Sequence, residues 1–281
     1  MADKQMKLKF NEEVSSLKKK IEEVRRKIGV LESETGGAEV HVSRLSMASL
    51  YVDLVSIYCA MTDLSLNLLG FKNESYLDTG RKSIYHALIM LEKMVTNSVD
   101  MSLTENSEIL EELASFSDAD KLKLIRKIGY TISLLEDKYG SNSKWKWSFV
   151  ELEGRYAVVS KNLFDFRNYQ EKNDPREEGF DERNDYLFLV KELLDKASRR
   201  YREKYELTTH SMEDMKKAIE YLRALKRIHI LFRENSDVQS VSKRIELWSH
   251  KLEADMKAHE KQMKMKKRSS LQKSSQTQSG K

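Results

Sequence analysis

One proline and ten glycines in 281 residues leave this chain few places to reverse direction. A protein of this length ordinarily carries roughly 30 such residues. Strands need tight turns, and tight turns need Gly, Pro or Asn-Gly pairs. The shortage therefore argues against sheet and for long helices. The abundant Leu, Lys, Glu, Met and Arg agree, because straight-chain side chains lose little rotamer freedom in a helix. Hydrophobic residues make up 40% of the chain, and the net charge is only +5. That is enough apolar material for a core and too little net charge for a disordered polyelectrolyte. The predicted fold is all-α, an N-terminal coiled-coil helix followed by a bundle of about eight helices. Ser83 to Met94 has the small-and-large rhythm of a tetratricopeptide hairpin. No 34-residue period and no matching Trp-Leu-Gly-Tyr pattern accompanies it. A degenerate helical-hairpin solenoid is the alternative to a closed bundle.

The most regular pattern lies at the start. Phe10, Val14, Leu17, Ile21, Val24, Ile28 and Leu31 follow one another in alternating steps of four and three. Lys, Arg, Glu, Ser and Asn fill most of the positions between them. So narrow a stripe predicts a coiled-coil seam, with Val14, Ile21 and Ile28 at a positions and Phe10, Leu17, Val24 and Leu31 at d positions. The seam is expected to seek a partner helix, from a second copy or from another protein. Self-association stands evenly against the plain reading, that the seam packs on the chain's own helices.

Punctuation divides the rest. Residues 1–33 form the coiled-coil helix, and 34–42 a linker containing Thr35, Gly36 and Gly37. Residues 43–260 form the helical body, with a sub-boundary near 140, and 261–281 a basic tail without regular structure. Ser43 to Leu69 is apolar nearly all round, as a central bundle helix should be. Its thin polar stripe includes Asp53 and Asp63, which leave no uncharged run long enough to span a bilayer. A helix is expected over Arg81 to Asn97, and short ones follow with Thr104 and Ser117 as N-caps. The stripe from Trp145 to Phe166 predicts one helix that ends at Pro175. Helices over Glu177 to Glu206 and Ser211 to Arg233 follow, the latter opened by a capping-box-like Ser211 and Asp214. Asn235, Ser236 and Asp237 read as a turn before the last helix.

The residues offer little chemistry. None of the six histidines forms HExxH or sits four residues from another. One cysteine cannot build a thiolate metal site. There is no Walker-type loop, no GxGxxG and no GxSxG. No Glu-x-x-His pair supports a di-iron bundle. Cys59 sits in apolar sequence, where burial raises a thiol's pKa and leaves it inert. No catalytic residue, metal ligand, cofactor or small-molecule substrate is therefore expected.

Charge is more telling. From Lys257 onward eight Lys/Arg face one Glu, so the remaining 256 residues are slightly acidic. Lys261, Lys264, Lys266, Lys267 and Arg268 make the tail a place for nucleic acid, another polyanion or an anionic membrane to touch, although cations also suit any helix C-terminus. Lys144, Trp145, Lys146 and Trp147 could stack bases, but Trp145 opens an apolar stripe and reads as core. Glu177, Glu178, Asp181, Glu182 and Asp185 form an acidic run that suits a helix N-terminus or a basic partner. Without an apolar signal segment, a cytoplasmic protein is expected. The expected function is a non-enzymatic scaffold or adaptor working through the N-terminal seam. The alternative is a polyanion-associated protein working through the tail.

Overall fold

The computed structural model describes residues 2–33, 40–113 and 115–278, with side chains for all of these but 2, 3, 209 and 266–278. Among the described residues there are ten α-helices, one π-helical turn and no strand, an all-α multi-helix bundle. They fall into two compact units, Met1–Leu194 and Asp195–Lys281. The expected linker at Thr35, Gly36 and Gly37 lies outside the described residues, and Val40 is already helical.

The first unit holds α1 (Ala2–Ser33), α2 (Val40–Leu69), α3 (Glu74–Val95), α4 (Ser107–Glu112), α5 (Asp118–Tyr139), α6 (Lys146–Leu163), α7 (Phe166–Glu171) and the start of α8 (Phe180–Lys204). At its centre α2 packs against α1, α3 and α5. Ala48, Val52 and Val55 are completely buried. The polar stripe of α2 is answered from α5: Lys127 Nζ donates to Asp53 Oδ1 at 2.6 Å, and Lys138 Nζ to Asp63 Oδ1 at 2.5 Å. Despite the two aspartates, α2 is long and apolar enough by composition to cross a bilayer. In this fold its apolar faces meet neighbouring helices instead.

The seam, expected to seek a partner helix, finds one within the chain. α1 lies along α2, and Val14, Ile21 and Ile28 are only 5–6% exposed. Arg25 also reaches across to donate to the Tyr58 hydroxyl at 3.0 Å. The a row of the seam thus meets the chain's own α2. Phe10, Leu17, Val24 and Leu31 are left half-buried. An apolar stripe will take the nearest complementary surface, and α2 is apolar nearly all round.

Several boundaries differ from the sequence pattern for local reasons. α3 begins at Glu74, because the Asn73 side chain accepts a bond from Ser75 N. Asn106, not Thr104, precedes α4. Ser117 caps α5 as expected, accepting from Asp120 N at 3.1 Å. The helix expected to run to Pro175 breaks at Phe164, whose backbone is extended. Asp165 then caps α7 by accepting from Asn168 N at 2.9 Å. The Phe164 ring packs against Phe166 and Tyr186 at centroid distances of 4.7 and 5.2 Å. Gly129 serves the contact of α5 with α6. A Cβ there would lie 2.6 Å from the Tyr156 hydroxyl oxygen, which instead donates to Ile125 O at 2.8 Å.

A buried polar cluster holds the crossover from α3 to α4. Asn162 Nδ2 donates to the carbonyls of Val95, Thr96 and Ser98 at 3.1–3.2 Å. Lys161, 1% exposed, donates to Val99 O and Met101 O at 3.0 and 3.2 Å. Asn106 Nδ2 reaches Val95 O and Asn162 O. Buried carbonyls need such donors, since an orphan costs about 1–3 kcal/mol. The cluster also fixes Thr96, which sits at φ +61°, an uncommon place for a β-branched residue.

The second unit contains the rest of α8, a π-helical turn (Tyr205–Thr209), α9 (Met212–Leu231) and α10 (Asn235–Gln278). The capping box expected at the start of α9 does not form: Ser211 makes no capping bond from its side chain. Asp214 instead accepts from Lys204 Nζ at 2.9 Å. The guanidinium groups of Arg202 and Arg244 lie over the Trp248 ring, 4.9 and 5.2 Å from its centroid. α10 continues through Gln278, where the composition had predicted a tail without regular structure. From Met256 to Met265 every side chain is exposed.

Candidate functional site

An open cavity of about 800 Å³ lies in the first unit, among α4, the first turn of α5, α7 and the segment 172–183 that leads into α8. Its lining carries seven carboxylates (Glu111, Asp118, Asp165, Glu171, Glu177, Glu178 and Glu182) against four cations (Lys121, Arg167, Lys172 and Arg183). No histidine or cysteine lines it.

Arg183 forms the floor. Its side chain is 5% exposed. Nη1 donates to Asp118 Oδ2 at 2.8 Å and to Glu178 O at 2.7 Å, and Nη2 to Lys172 O at 3.0 Å. A buried guanidinium with these partners locks the 172–183 segment onto the start of α5. Gly179 makes the approach feasible: it sits at φ +77°, and a Cβ there would stand 3.0 Å from both Arg183 Nη1 and Asp118 Oδ2. Arg167 bridges the rim between Glu171 at 3.0 Å and Glu111 at 3.6 Å. Burial holds the Lys121 ammonium below the ordinary lysine pKa, a shift that Asp118 and Asp165 oppose. The Ser107 hydroxyl donates to Thr104 O, and the Ser117 hydroxyl caps α5. Arg183 and Arg167 thus hold walls together. The carboxylates of Glu177, Glu178 and Glu182 make no hydrogen bond or ion pair with the described residues. Such a lining suits a cationic guest held by charge.

Only part of the acidic run reaches this cavity. Glu177, Glu178 and Glu182 line it, whereas Asp185 pairs with Arg126 at 2.8 Å and Asp181 faces solvent. The remaining carboxylates arrive from α4, α5 and α7, so sequence proximity could not assemble the set. Arg183 and Lys121 were missed for the same reason. Their only signal was a cation within or just after an acidic stretch.

The other residues expected to act are dispersed. Of the seam residues, Val14, Ile21 and Ile28 are buried where α1 lies along α2, and Phe10, Leu17, Val24 and Leu31 are half-buried. Trp145, expected in the core, is half-buried, with the Arg81 guanidinium 3.8 Å from its ring centroid and Tyr139 edge-on to it. Trp147 is half-buried with Lys146 above its ring at 4.8 Å. Cys59 is buried, and desolvation pushes its thiol up to about 11. Lys261 and Lys264 are exposed on α10, and the side chains of Lys266, Lys267 and Arg268 lie outside the described ones.

A model of the TP0443 family matches residues 6–256. The chain belongs to the TP0443 family. The family match spans both units and ends at Met256, where α10 begins to show solvent on every side. The acidic cavity therefore falls inside the TP0443 match, and Lys257 to Lys281 fall outside it. No curated protein matches the chain, and neither does any solved structure.

Proposed function

We propose that this TP0443-family chain is a non-enzymatic helical scaffold or adaptor, and that its acidic cavity receives a basic segment of a protein partner. The observation that carries this is the surplus of carboxylates around a buried arginine floor. Glu177, Glu178 and Glu182 face the cavity unpaired, while Arg183 and Arg167 are engaged in its walls. Charge complementarity of this kind steers encounter and fixes register more than it supplies raw affinity. The N-terminal seam contributes less to this role than its heptads promised, because its a row is already covered by α2.

The experiment is binding of Lys/Arg-rich peptides to the full chain at low salt. Glu177→Lys with Glu182→Lys should weaken the tightest peptide at least tenfold, and raised salt should weaken it for the unaltered chain. If no basic peptide binds, or if the double variant binds equally well, the cavity is not the docking surface.

A second reading rests on α10, where Lys257, Lys261 and Lys264 project from a stretch exposed on all sides. Such a helix fits a polyanion contact. Its mark would be salt-sensitive binding of DNA or RNA that is lost when these three lysines become glutamates.

A further inference from the structure

We infer that His229, Glu234 and Asp237 form a binding site for a divalent transition-metal ion, zinc or one of similar preference, at the turn joining α9 to α10. Their ligand atoms all lie within 4.8 Å of one another. His229 Nδ1 and Glu234 Oε2 are 2.5 Å apart. His229 is 9% exposed and belongs to the core of the second unit, Glu234 is half-buried, and Asp237 opens to solvent.

The turn itself explains the convergence. Glu234 N donates back to His229 O at 2.9 Å and Arg233 N to Ile230 O at 3.1 Å, with Arg233 at φ +58°. This is the Schellman pattern, with a left-handed residue just past the helix end. Val238 N then donates to Glu234 O at 3.0 Å, so Glu234 opens α10 and Asp237 stands in its first turn. Two rigid helices and one fixed turn thus bring together residues five and three apart in sequence. Glu234 and Asp237 share a helix face at i, i+3, whereas His229 reaches Glu234 only across the left-handed turn, so the set matches no ligand motif confined to one helix.

The donor set selects the ion class. One imidazole nitrogen with two carboxylate oxygens suits zinc, manganese or ferrous iron. Calcium and magnesium ask for six or more oxygens. A tetrahedral ion bound at about 2.0–2.2 Å would set the ligands roughly 3.4 Å apart and leave one position for water. From the present arrangement the His229–Glu234 pair would open from 2.5 Å as the ion takes the place of their hydrogen bond, and the exposed Asp237 would close in by side-chain rotation.

The competing explanation is an ordinary histidine–glutamate hydrogen bond that seals the turn. That bond needs only His229 and Glu234. Asp237 is therefore the discriminating residue, and its exposure lets it be changed without disturbing the core. Zinc, cobalt and manganese would each be titrated into the full chain in a non-chelating buffer near neutral pH, followed by calorimetry and by thermal melting. The expected result is saturable uptake of one ion per chain, a melting midpoint that rises with ion concentration, and at least tenfold weaker binding in Asp237→Asn. A weaker intensity of the visible cobalt spectrum in that variant would confirm loss of a ligand. No uptake of any of the three ions, or uptake equally tight in Asp237→Asn, would overturn the assignment. The second result would place the ion elsewhere.

Discussion

α1 and the far end of α10 are built from similar material. Both are helical and densely charged, with many lysines. Their surroundings differ sharply. In α1, Val14, Ile21 and Ile28 are 5–6% exposed against α2. In α10, Met256, Met263 and Met265 are 39%, 55% and 69% exposed. Charge content does not separate the two. Branched residues repeat without interruption through α1. In α10 a comparable run, Val238, Val241, Ile245, Trp248 and Leu252, gives way to Met and His after the second unit's core ends. A helix that lacks a continuous stripe has nothing to bury, whatever its propensity, and most helical stability in proteins comes from such burial.

The comparison breaks most readily at Ile21. Ile21→Asp places a carboxylate in an apolar contact with no partner, and should destabilise the first unit by about 4 kcal/mol. The matched change Met263→Asp, at an exposed position of α10, should stay within about 0.5 kcal/mol. Denaturant melts of the two variants against the unaltered chain decide the matter. Equal, small effects would mean that α1 is not held on α2, and that its seam is free for a partner helix after all.

A smaller effect comes from Cys59, on the helix that α1 covers. Desolvation lifts its thiol pKa from 9.0 to about 11. A group whose folded pKa lies above its unfolded value contributes stability that is complete below the unfolded value and fades as pH rises through the folded one. Stability should therefore fall between pH 9 and pH 11, by about 2 kcal/mol from this residue. Cys59→Ala removes the group, so the difference between its melting curve and that of the unaltered chain should shrink over that window. A pH-independent difference would show that the thiolate is not excluded. The same burial predicts slow alkylation of Cys59 near neutral pH, since the thiolate is the reactive form.

Helix class was legible because Gly and Pro are so scarce and because periodicity survives in every long helix. α2 was recognisable as central from its near-uniform apolarity, and Ser117 from its cap chemistry. Partnership was not legible. The seam heptads describe a stripe correctly but carry no information about which surface covers it, and α2 offers the same apolar face that a second copy would. Lys161 and Asn162 are, in the sequence, only polar interruptions of the Trp145–Phe166 stripe. Only the fold shows that they hold the carbonyls of the α3–α4 crossover. The acidic cavity escaped notice because its carboxylates come from four separate segments. His229, Glu234 and Asp237 escaped because ligand motifs are defined on one helix, whereas these three meet across a left-handed residue that a sequence gives no sign of. Arg233 occupies that position although Gly is the usual choice.

The least effect is expected from removing residues 257–281. Described side chains from Lys257 to Met265 are all exposed, and the family match stops at Met256. The deletion takes away seven net positive charges without uncovering apolar surface. Thermal midpoint should move by less than a degree or so, because surface changes away from packed contacts rarely exceed about 0.5 kcal/mol. Helical signal in circular dichroism should fall by the share of α10 removed, since the segment through Gln278 is helical in this fold. These two readouts separate two physical states of α10. An unchanged midpoint with a lost helical signal means a helix that persists without a tertiary partner, held by intrinsic propensity and by continuity with the packed half. A lowered midpoint would mean that this end of α10 finds a surface to lie on, and the contrast with α1 would then be one of degree.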